Sequence, residues 1–138
     1  MKIEPYIFFE GRTEEAIAFY TKAAGAKVEM MMRYSDSPEP IPEQMLPPGG
    51  RSKIMHSSFT IGESRINASD GHVQREPGYQ SFSLAMTVED PAEARRVYDA
   101  LLEGGGEVRS PLQKTFFSPC FGMLKDRFGI GWMIMARG

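Results

Sequence analysis

Two side chains in this sequence stand out as candidates for acid–base or nucleophilic chemistry. His56 lies in the alternating stretch "KIMHSSFTIG", and histidine is the side-chain type that changes charge near neutral pH. Cys120 lies in "TFFSPCFGMLK", where strand alternation would put Phe116, Ser118 and Cys120 on one face. A neighbouring cysteine and histidine can act as nucleophile and base, which is one hypothesis for this pair. The interpretation we favour is a small buried cysteine and a histidine that contacts a ligand.

The strands around these side chains predict a sheet with one polar face. In "IMHSSFTI" the large apolar residues alternate with His56, Ser58 and Thr60. In "RINAS" the apolar positions alternate with Arg65, Asn67 and Ser69. In "FSLAMTV" small or polar residues alternate with a large apolar set that we expect to face a helix, namely Phe82, Leu84, Met86 and Val88. Ser83 falls on the other face. We therefore predict a polar cup, lined by the small and polar set.

An internal repeat indicates which elements position these strands. The segment "PYIFFEGRTEEAIAFY" aligns without a gap on "SLAMTVEDPAEARRVY", and both predict a strand, a turn and a helix. Further strand-like segments follow each helix, so each half is interpreted as β-α-β-β-β. We predict an α+β fold in which two such modules, about 1–71 and 80–138, form a curved mixed sheet in one domain. That sheet would be a half-barrel cup with the helices outside.

Capping signals support both helices. We expect Thr13 to accept from the free N–H groups at the start of the first helix, and Gly25 to end that helix. Asp90 is the expected N-cap of the second helix, with Pro91 at its first position and Glu93 placed for a capping box. The Gly104–Gly106 run follows the second helix and does not open one, so it is not expected to cradle a phosphate.

Composition excludes several classes of protein. The 138 residues carry a net charge of -2, which gives no field for nucleic acid or for an anionic membrane. One cysteine allows no internal disulfide and suits a cytoplasmic location. Residues 35–52 are rich in proline and glycine, and they are interpreted as a lid, a binding arm or a solvated excursion. His72 belongs to the linker between the modules, where we expect it to be exposed.

Together these features resemble a known family. The paired modules, "PYIFFEG" with "EEAIAFY", "KIMH", and "PLQKTFFSPCFGMLKDRFGIGWM" are similar to the vicinal-oxygen-chelate superfamily of glyoxalase, bleomycin-resistance and dioxygenase proteins. Within it they resemble the PhnB-like branch, which carries the label 3-demethylubiquinone-9 3-methyltransferase-like. The resemblance implies a cytoplasmic homodimer.

The resemblance also implies where a metal would bind. Carried over, the ligand positions of the metalloenzymes fall on Pro5, Asn67, Ser83 and Met133, within about one residue. These types suit no hard or borderline divalent ion, which prefers imidazole and carboxylate. The turn "FFEGRTEE" has one glycine, whereas a nucleotide-type methyltransferase uses a glycine-rich turn. We therefore expect no metal and no cofactor.

The sequence predicts a PhnB-like protein that binds a small, partly apolar molecule in its cup without the usual metal. The expected contacts come from the cup face, its rim and the Cys120 segment: Arg33, His56, Ser58, Asn67, Ser83, Phe116, Cys120 and Met133. Alternatives are a metal-dependent lyase, isomerase or dioxygenase, a metal-free acid/base enzyme that uses His56, and a structural dimer without a ligand.

Overall fold

The structure, a computed structural model, describes residues 1–71 and 78–138. The chain divides into two compact units, Met1–Pro77 and Gly78–Gly138. The first contains β1 (Tyr6–Phe8), α1 (Thr13–Ala24), β2 (Lys27–Arg33), β3 (Ile54–Ile61) and β4 (Ser64–Ser69). The second contains β5 (Leu84–Val88), α2 (Pro91–Leu102), β6 (Glu107–Gln113), β7 (Phe121–Lys125) and β8 (Gly131–Ala136). The linker prediction for His72 lies outside the described residues.

Each unit forms its own four-stranded mixed sheet. The strand orders are β1-β4-β3-β2 and β5-β8-β7-β6, and in each sheet the first pair is parallel and the other two pairs are antiparallel. The predicted α+β fold of two β-α-β-β-β modules is therefore confirmed. Pro111 lies in β6 at the edge of its sheet, where a residue without an N–H group does not break a ladder.

The apolar stripe of each helix packs on one face of its own sheet. In the first unit, Tyr20 of α1 is buried and its ring stacks on Phe59 of β3, with the ring centroids 6.2 Å apart. In the second unit, Tyr98 of α2 is buried, and its hydroxyl donates to the carbonyl oxygens of Ser110 (2.9 Å) and Met123 (3.1 Å). Gly122 allows this approach, because a Cβ there would lie 2.8 Å from the Tyr98 ring. Trp132 of β8 is a core residue, since 3% of the residue is exposed.

The two helices are capped in different ways. The predicted capping of α1 by Thr13 is wrong, because Asp70 takes that role: its Oδ1 accepts from the Thr13 N–H at 2.9 Å and its Oδ2 from the Ile54 N–H at 2.8 Å. The Thr13 hydroxyl oxygen is buried without a hydrogen-bond partner in the described part of the chain. Asp90 caps α2 as predicted, accepting from the Glu93 N–H at 2.9 Å, and Gly25 ends α1 in a left-handed conformation.

The repeat has a one-residue difference that the ungapped alignment hides. On β1, Ile7 is buried and pairs with buried Ala68. The alignment matches Ile7 with Ala85, which is exposed, whereas Met86 is the β5 residue that pairs with buried Ile134. The extra residue lies in the turn before α1, where Glu10 and Gly11 have φ values of 53° and 94°.

Two parts of the second module differ from the prediction. The residues Phe116, Ser118 and Cys120 share no strand face, because β7 begins at Phe121 and they lie in the preceding loop. Ser118 anchors that loop: it is buried, and its hydroxyl donates to the Ala136 carbonyl oxygen at 2.6 Å. Phe82 was expected to face a helix, but it precedes β5 and is 49% exposed.

Candidate functional site

The strand register of the first module places a set of polar and apolar side chains on the sheet face that turns away from α1. Tyr6 and Ser58 both pair with Asn67, Met30 pairs with Ser58, Met32 pairs with His56, and Thr60 pairs with Arg65. Phe8 shares this face by alternation with Tyr6. We call this set the His56 face: Tyr6, Phe8, Met30, Met32, His56, Ser58, Thr60, Arg65 and Asn67. The structure thus brings the predicted residues His56, Ser58 and Asn67 together.

Tyr6 and His56 form the central pair of the His56 face. The Tyr6 hydroxyl lies 2.9 Å from His56 Nδ1. The two rings are stacked, with centroids 5.6 Å apart and an interplanar angle of 27°. His56 is half-buried, whereas Tyr6 is 44% exposed. The hydrogen bond fixes the imidazole ring, and it leaves Nε2 without a protein partner among residues 1–71 and 78–138.

The Asn67 amide leads from this pair to a group of charges. Its Nδ2 donates to Glu4 Oε1 at 3.2 Å, and Glu4 also pairs with Lys2 at 2.9 Å. These hydrogen bonds, first that of Lys2 and then that of Asn67, hold the pKa of Glu4 below its ordinary value. Because the side-chain nitrogen of Asn67 faces Glu4, the side-chain oxygen, Oδ1, is left as an acceptor for a ligand.

Arg33 lies at a separate polar cleft of about 230 Å³ in the first module. Its guanidinium donates to Glu14 Oε2 at 2.7 Å and to the Ser52 carbonyl oxygen at 2.6 Å. The hydrogen bond from Arg33 lowers the pKa of Glu14. Lys53 and Asp70 also line this cleft, so its charges are balanced. The charge of Arg33 is already paired with a carboxylate, and its predicted contact with a ligand stays a prediction.

The second module presents a different surface on the corresponding face. Met133 pairs with Ala85 on one side and Met123 on the other, while Met135 pairs with Thr87 and Phe121. We call this set the Met133 face: Ala85, Thr87, Phe121, Met123, Met133 and Met135. Three of these six side chains are thioethers, and Lys125, which pairs with Gly131 at the end of the same face, is a charged neighbour of the set.

The other predicted residues of the second module lie outside its strands. Ser83 comes just before β5 and packs closely against Gly131 of β8. A Cβ atom added at Gly131 would lie 2.8 Å from the Ser83 Oγ. Phe116 is fully exposed, and Cys120 is half-buried at the end of the same loop. His56 and Cys120 belong to different units, so their pairing stays a prediction.

The register changes the residues that stand at the metal positions implied by the resemblance. Pro5 precedes β1, and Tyr6 is the residue that pairs with Asn67. Likewise Ala85 pairs with Met133, whereas Ser83 precedes β5. The resulting set of phenol, amide, methyl and thioether groups suits a hard divalent ion as poorly as the predicted set. Across the described ranges, no three His, Cys, Asp or Glu side chains lie together as metal ligands would.

Tyr6 is the main residue that sequence reasoning missed. It lies beside Pro5 in "PYIFF", and the predicted strand boundary put the wrong neighbour on the polar face. A short strand that begins with proline gives little alternation from which to set the phase. The available signal was the aromatic residue Tyr6 itself, which directly follows the predicted metal position Pro5.

This arrangement defines the class of protein. Two β-α-β-β-β modules, each with a parallel first pair of strands, form the fold of the vicinal-oxygen-chelate superfamily. The fosfomycin resistance protein FosX from Mesorhizobium loti shares this fold with a TM-score of 0.65, at 10% identity, over 98% of this chain and 90% of that one. A likeness at this identity shows the fold alone.

The chain belongs to the family described as 3-demethylubiquinone-9 3-methyltransferase, whose sequence pattern matches residues 1–135. It is similar to protein PA1353 from Pseudomonas aeruginosa, with 35% identity and a TM-score of 0.81 over 99% of this chain and 98% of that one. It is also similar to the PhnB protein from Bacillus cereus, with 28% identity and a TM-score of 0.80 over 99% of both chains. Protein YjdN from Escherichia coli K12 is 32% identical over 97% of this chain and 94% of its own. The resemblance to the PhnB-like branch is therefore confirmed.

Proposed function

We propose that this protein binds a small, partly apolar molecule on the His56 face, without the hard divalent metal used by the metalloenzymes that it resembles. The stacked, hydrogen-bonded Tyr6–His56 pair carries the proposal, because it joins an accessible aromatic surface to two polar groups, the Tyr6 hydroxyl and the His56 imidazole. Such a pair suits a planar molecule that stacks on the rings and hydrogen-bonds at their edge.

The surroundings of the pair support a ligand of mixed character. Phe8 and Met30 are 37% and 39% exposed and supply apolar area beside the rings. Neutral hydrogen-bonding groups come from the hydroxyls of Ser58 and Thr60 and from the side-chain oxygen of Asn67. Arg65, one cation of this face, is held by Glu29 at 2.6 Å. The neutral groups beside the rings therefore match an uncharged polar ligand. The predicted ligand contacts of the second module stay predictions: Ser83, Phe116, Cys120 and Met133.

A ligand screen tests the proposal. Tag-free protein in excess chelator is screened against metabolites by thermal shift, and a ligand at a hundredfold its Kd should add about 2.7 kcal/mol to the free energy of unfolding. His56→Ala and Tyr6→Phe should weaken binding of any hit, whereas Arg95→Ala on the exposed surface of α2 should not. A hit that binds both His56-face variants as tightly as the wild type would refute binding at this face.

A second function, metal-free acid–base catalysis, is favoured by the same hydrogen bond. If His56 Nδ1–H donates to the Tyr6 hydroxyl oxygen, Nε2 carries the lone pair that can take a proton from a substrate. Turnover of a screened compound should then be lost in His56→Ala. Unchanged turnover in that variant would exclude His56 as the base.

The proposal includes the cytoplasmic homodimer that the resemblance implies. Neither helix in residues 1–71 and 78–138 is long and apolar enough to cross a membrane. Light scattering coupled to size-exclusion chromatography should give twice the mass of a 15.5 kDa chain. A monomeric mass at micromolar concentration would contradict this part.

A further inference from the structure

We propose that Met30, Met32 and His56 form a binding site for a soft monovalent metal ion, Cu(I) or Ag(I). The site differs in ligand chemistry and in position from the metal positions implied by the resemblance, which fall on Tyr6, Asn67, Ala85 and Met133. It is built from two strands of the first module alone.

The register of β2 and β3 brings the three side chains together. Met32 and His56 are direct cross-strand partners, and Met30 lies two residues along β2 on the same face, opposite Ser58. Directly opposed residues have Cβ atoms about 4.5–5.5 Å apart, and residues i and i+2 of a strand are about 6.6 Å apart. A methionine side chain has three rotatable bonds, so both sulfur atoms can reach an ion bound at the imidazole.

The hydrogen bond to Tyr6 prepares His56 as a ligand. A metal-binding histidine usually donates its second ring N–H to a fixed acceptor, which sets the tautomer and the ring orientation. Here Nδ1 lies 2.9 Å from the Tyr6 hydroxyl, and ring stacking at 27° restricts rotation. In the tautomer with the proton on Nδ1, which donates to the Tyr6 oxygen, Nε2 keeps its lone pair for the ion. Tyr6 is therefore a positioning residue for the site.

The donor set selects the ion. Two thioethers and one neutral imidazole supply soft, uncharged ligands, which favour Cu(I) and its redox-silent analogue Ag(I) over Mg²⁺, Mn²⁺ or Ca²⁺. Met30 is 39% exposed and Met32 and His56 are half-buried, so an ion can enter from solvent. Met31 provides an internal contrast, because it pairs with Ser57, which is fully buried on the opposite face.

The inference stands apart from the proposed function. A small molecule and a soft ion would share His56, so the two proposals make separate claims about one face. Titration of the protein with Ag(I) alone, without any organic ligand, tests the ion site by itself. A metabolite hit without Ag(I) binding would support only the proposed function, and the reverse result would support only the ion site.

The test is calorimetric titration of the full chain with silver nitrate in chloride-free buffer. It uses a Cys120→Ser background, because a free thiol binds Ag(I) on its own. We expect the highest-affinity ion in this background to bind at the His56 face. Met30→Leu/Met32→Leu and His56→Gln should each weaken binding more than about tenfold, and Tyr6→Phe by about tenfold. Met31→Leu should bind as the background does. Leucine conserves the volume of methionine, so we expect these variants to fold. Their melting temperatures, compared with that of the background, check this.

Two results would overturn the inference. One is loss of all stoichiometric Ag(I) binding on Cys120→Ser, which would assign the ion to the thiol. The other is equal affinity in the Met30→Leu/Met32→Leu variant and in Met31→Leu, which would show that thioethers of the His56 face are not ligands. Shifts of the methionine methyl resonances of Met30 and Met32 on Ag(I) addition, with Met31 unmoved, would support the site directly.

Discussion

The two modules repeat one fold, yet they present different chemistry on the sheet face away from the helix. Both faces carry thioethers and a phenyl ring, but the His56 face adds an imidazole, a phenol, hydroxyls and an amide, whereas the Met133 face adds mainly small side chains. The helix-facing sides are alike, with a buried tyrosine of each helix packed on its sheet. The repeat thus fixes the framework, because packing needs the same apolar stripe twice. The opposite faces are free to diverge.

The modules also differ in what stabilises their turns and helix starts. In the second, Asp126 lies in the β7–β8 turn and accepts from the Phe128 and Ile130 N–H groups and from the Trp132 indole. In the first, the β3–β4 turn consists of two exposed residues, Gly62 and Glu63, and Asp70 instead joins α1 to β3. Each module therefore has one buried carboxylate that holds its backbone together, but the two lie at different places in the repeat. Asp70 follows β4 in the first module, and Asp126 lies between β7 and β8 in the second.

The largest expected effect is at Asp126. Asp126→Ala leaves two backbone N–H groups and the indole N–H without their acceptor, which should cost about 3–5 kcal/mol of unfolding free energy. Urea denaturation followed by the fluorescence of Trp132, the one tryptophan, measures this loss in the second module. Glu63→Ala in the matching turn of the first module should change stability by less than about 0.5 kcal/mol. A similar loss for both would contradict the assigned difference.

The next effect separates a tertiary helix cap from a local one. Asp70→Ala removes the acceptor of the Thr13 and Ile54 N–H groups in a buried place, at an expected cost of about 2–4 kcal/mol. Asp90→Ala removes the exposed cap of α2, at an expected cost of about 1 kcal/mol. Hydrogen exchange should show faster opening of both α1 and β3 in Asp70→Ala, and of α2 alone in Asp90→Ala. Protection of β3 that survives Asp70→Ala would show that the two elements are not coupled through this carboxylate.

A smaller effect concerns the turn that distinguishes the repeats. Gly11 has a φ of 94° with open space around its Cα, so Gly11→Ala should cost about 1 kcal/mol through backbone strain and not through a clash. Glu89→Ala in the shorter turn of the second module serves as the control. Equal melting temperatures for Gly11→Ala and the wild type would refute the strain at this position.

The smallest effect is the pH dependence of two first-turn glutamates. Hydrogen bonds from Arg33 and Arg96 lower the pKa values of Glu14 and Glu93 respectively. A lowered folded-state pKa contributes stability above the unfolded pKa, and this contribution is lost as the pH falls through the folded value. Both side chains are largely exposed, so we expect a small contribution. The substitution Arg33→Gln should raise the pKa of Glu14 and leave that of Glu93 unchanged, and NMR titration measures both values.

The sequence by itself determined the elements and their order. The stripes of α1 and α2, the Asp90 cap and the alternation in β3, β4 and β8 are local patterns, and each survives in the fold. They could be predicted because a helix or a strand buries its apolar side whatever its neighbours are. The family resemblance could be predicted for the same reason, since it depends on turns and stripes near in sequence.

Only the tertiary structure decided which of these residues meet. Tyr6 faces His56 across 50 positions of sequence, and Asp70 caps a helix that begins 57 positions earlier. The phase of a three-residue strand such as β1 is set by its parallel partner β4 and not by its own residues. The segment before β7 has strand-like composition, but Ser118 bonds the Ala136 carbonyl oxygen and holds it as a loop. Contacts of this kind depend on register between distant segments, which alternation within one segment does not contain.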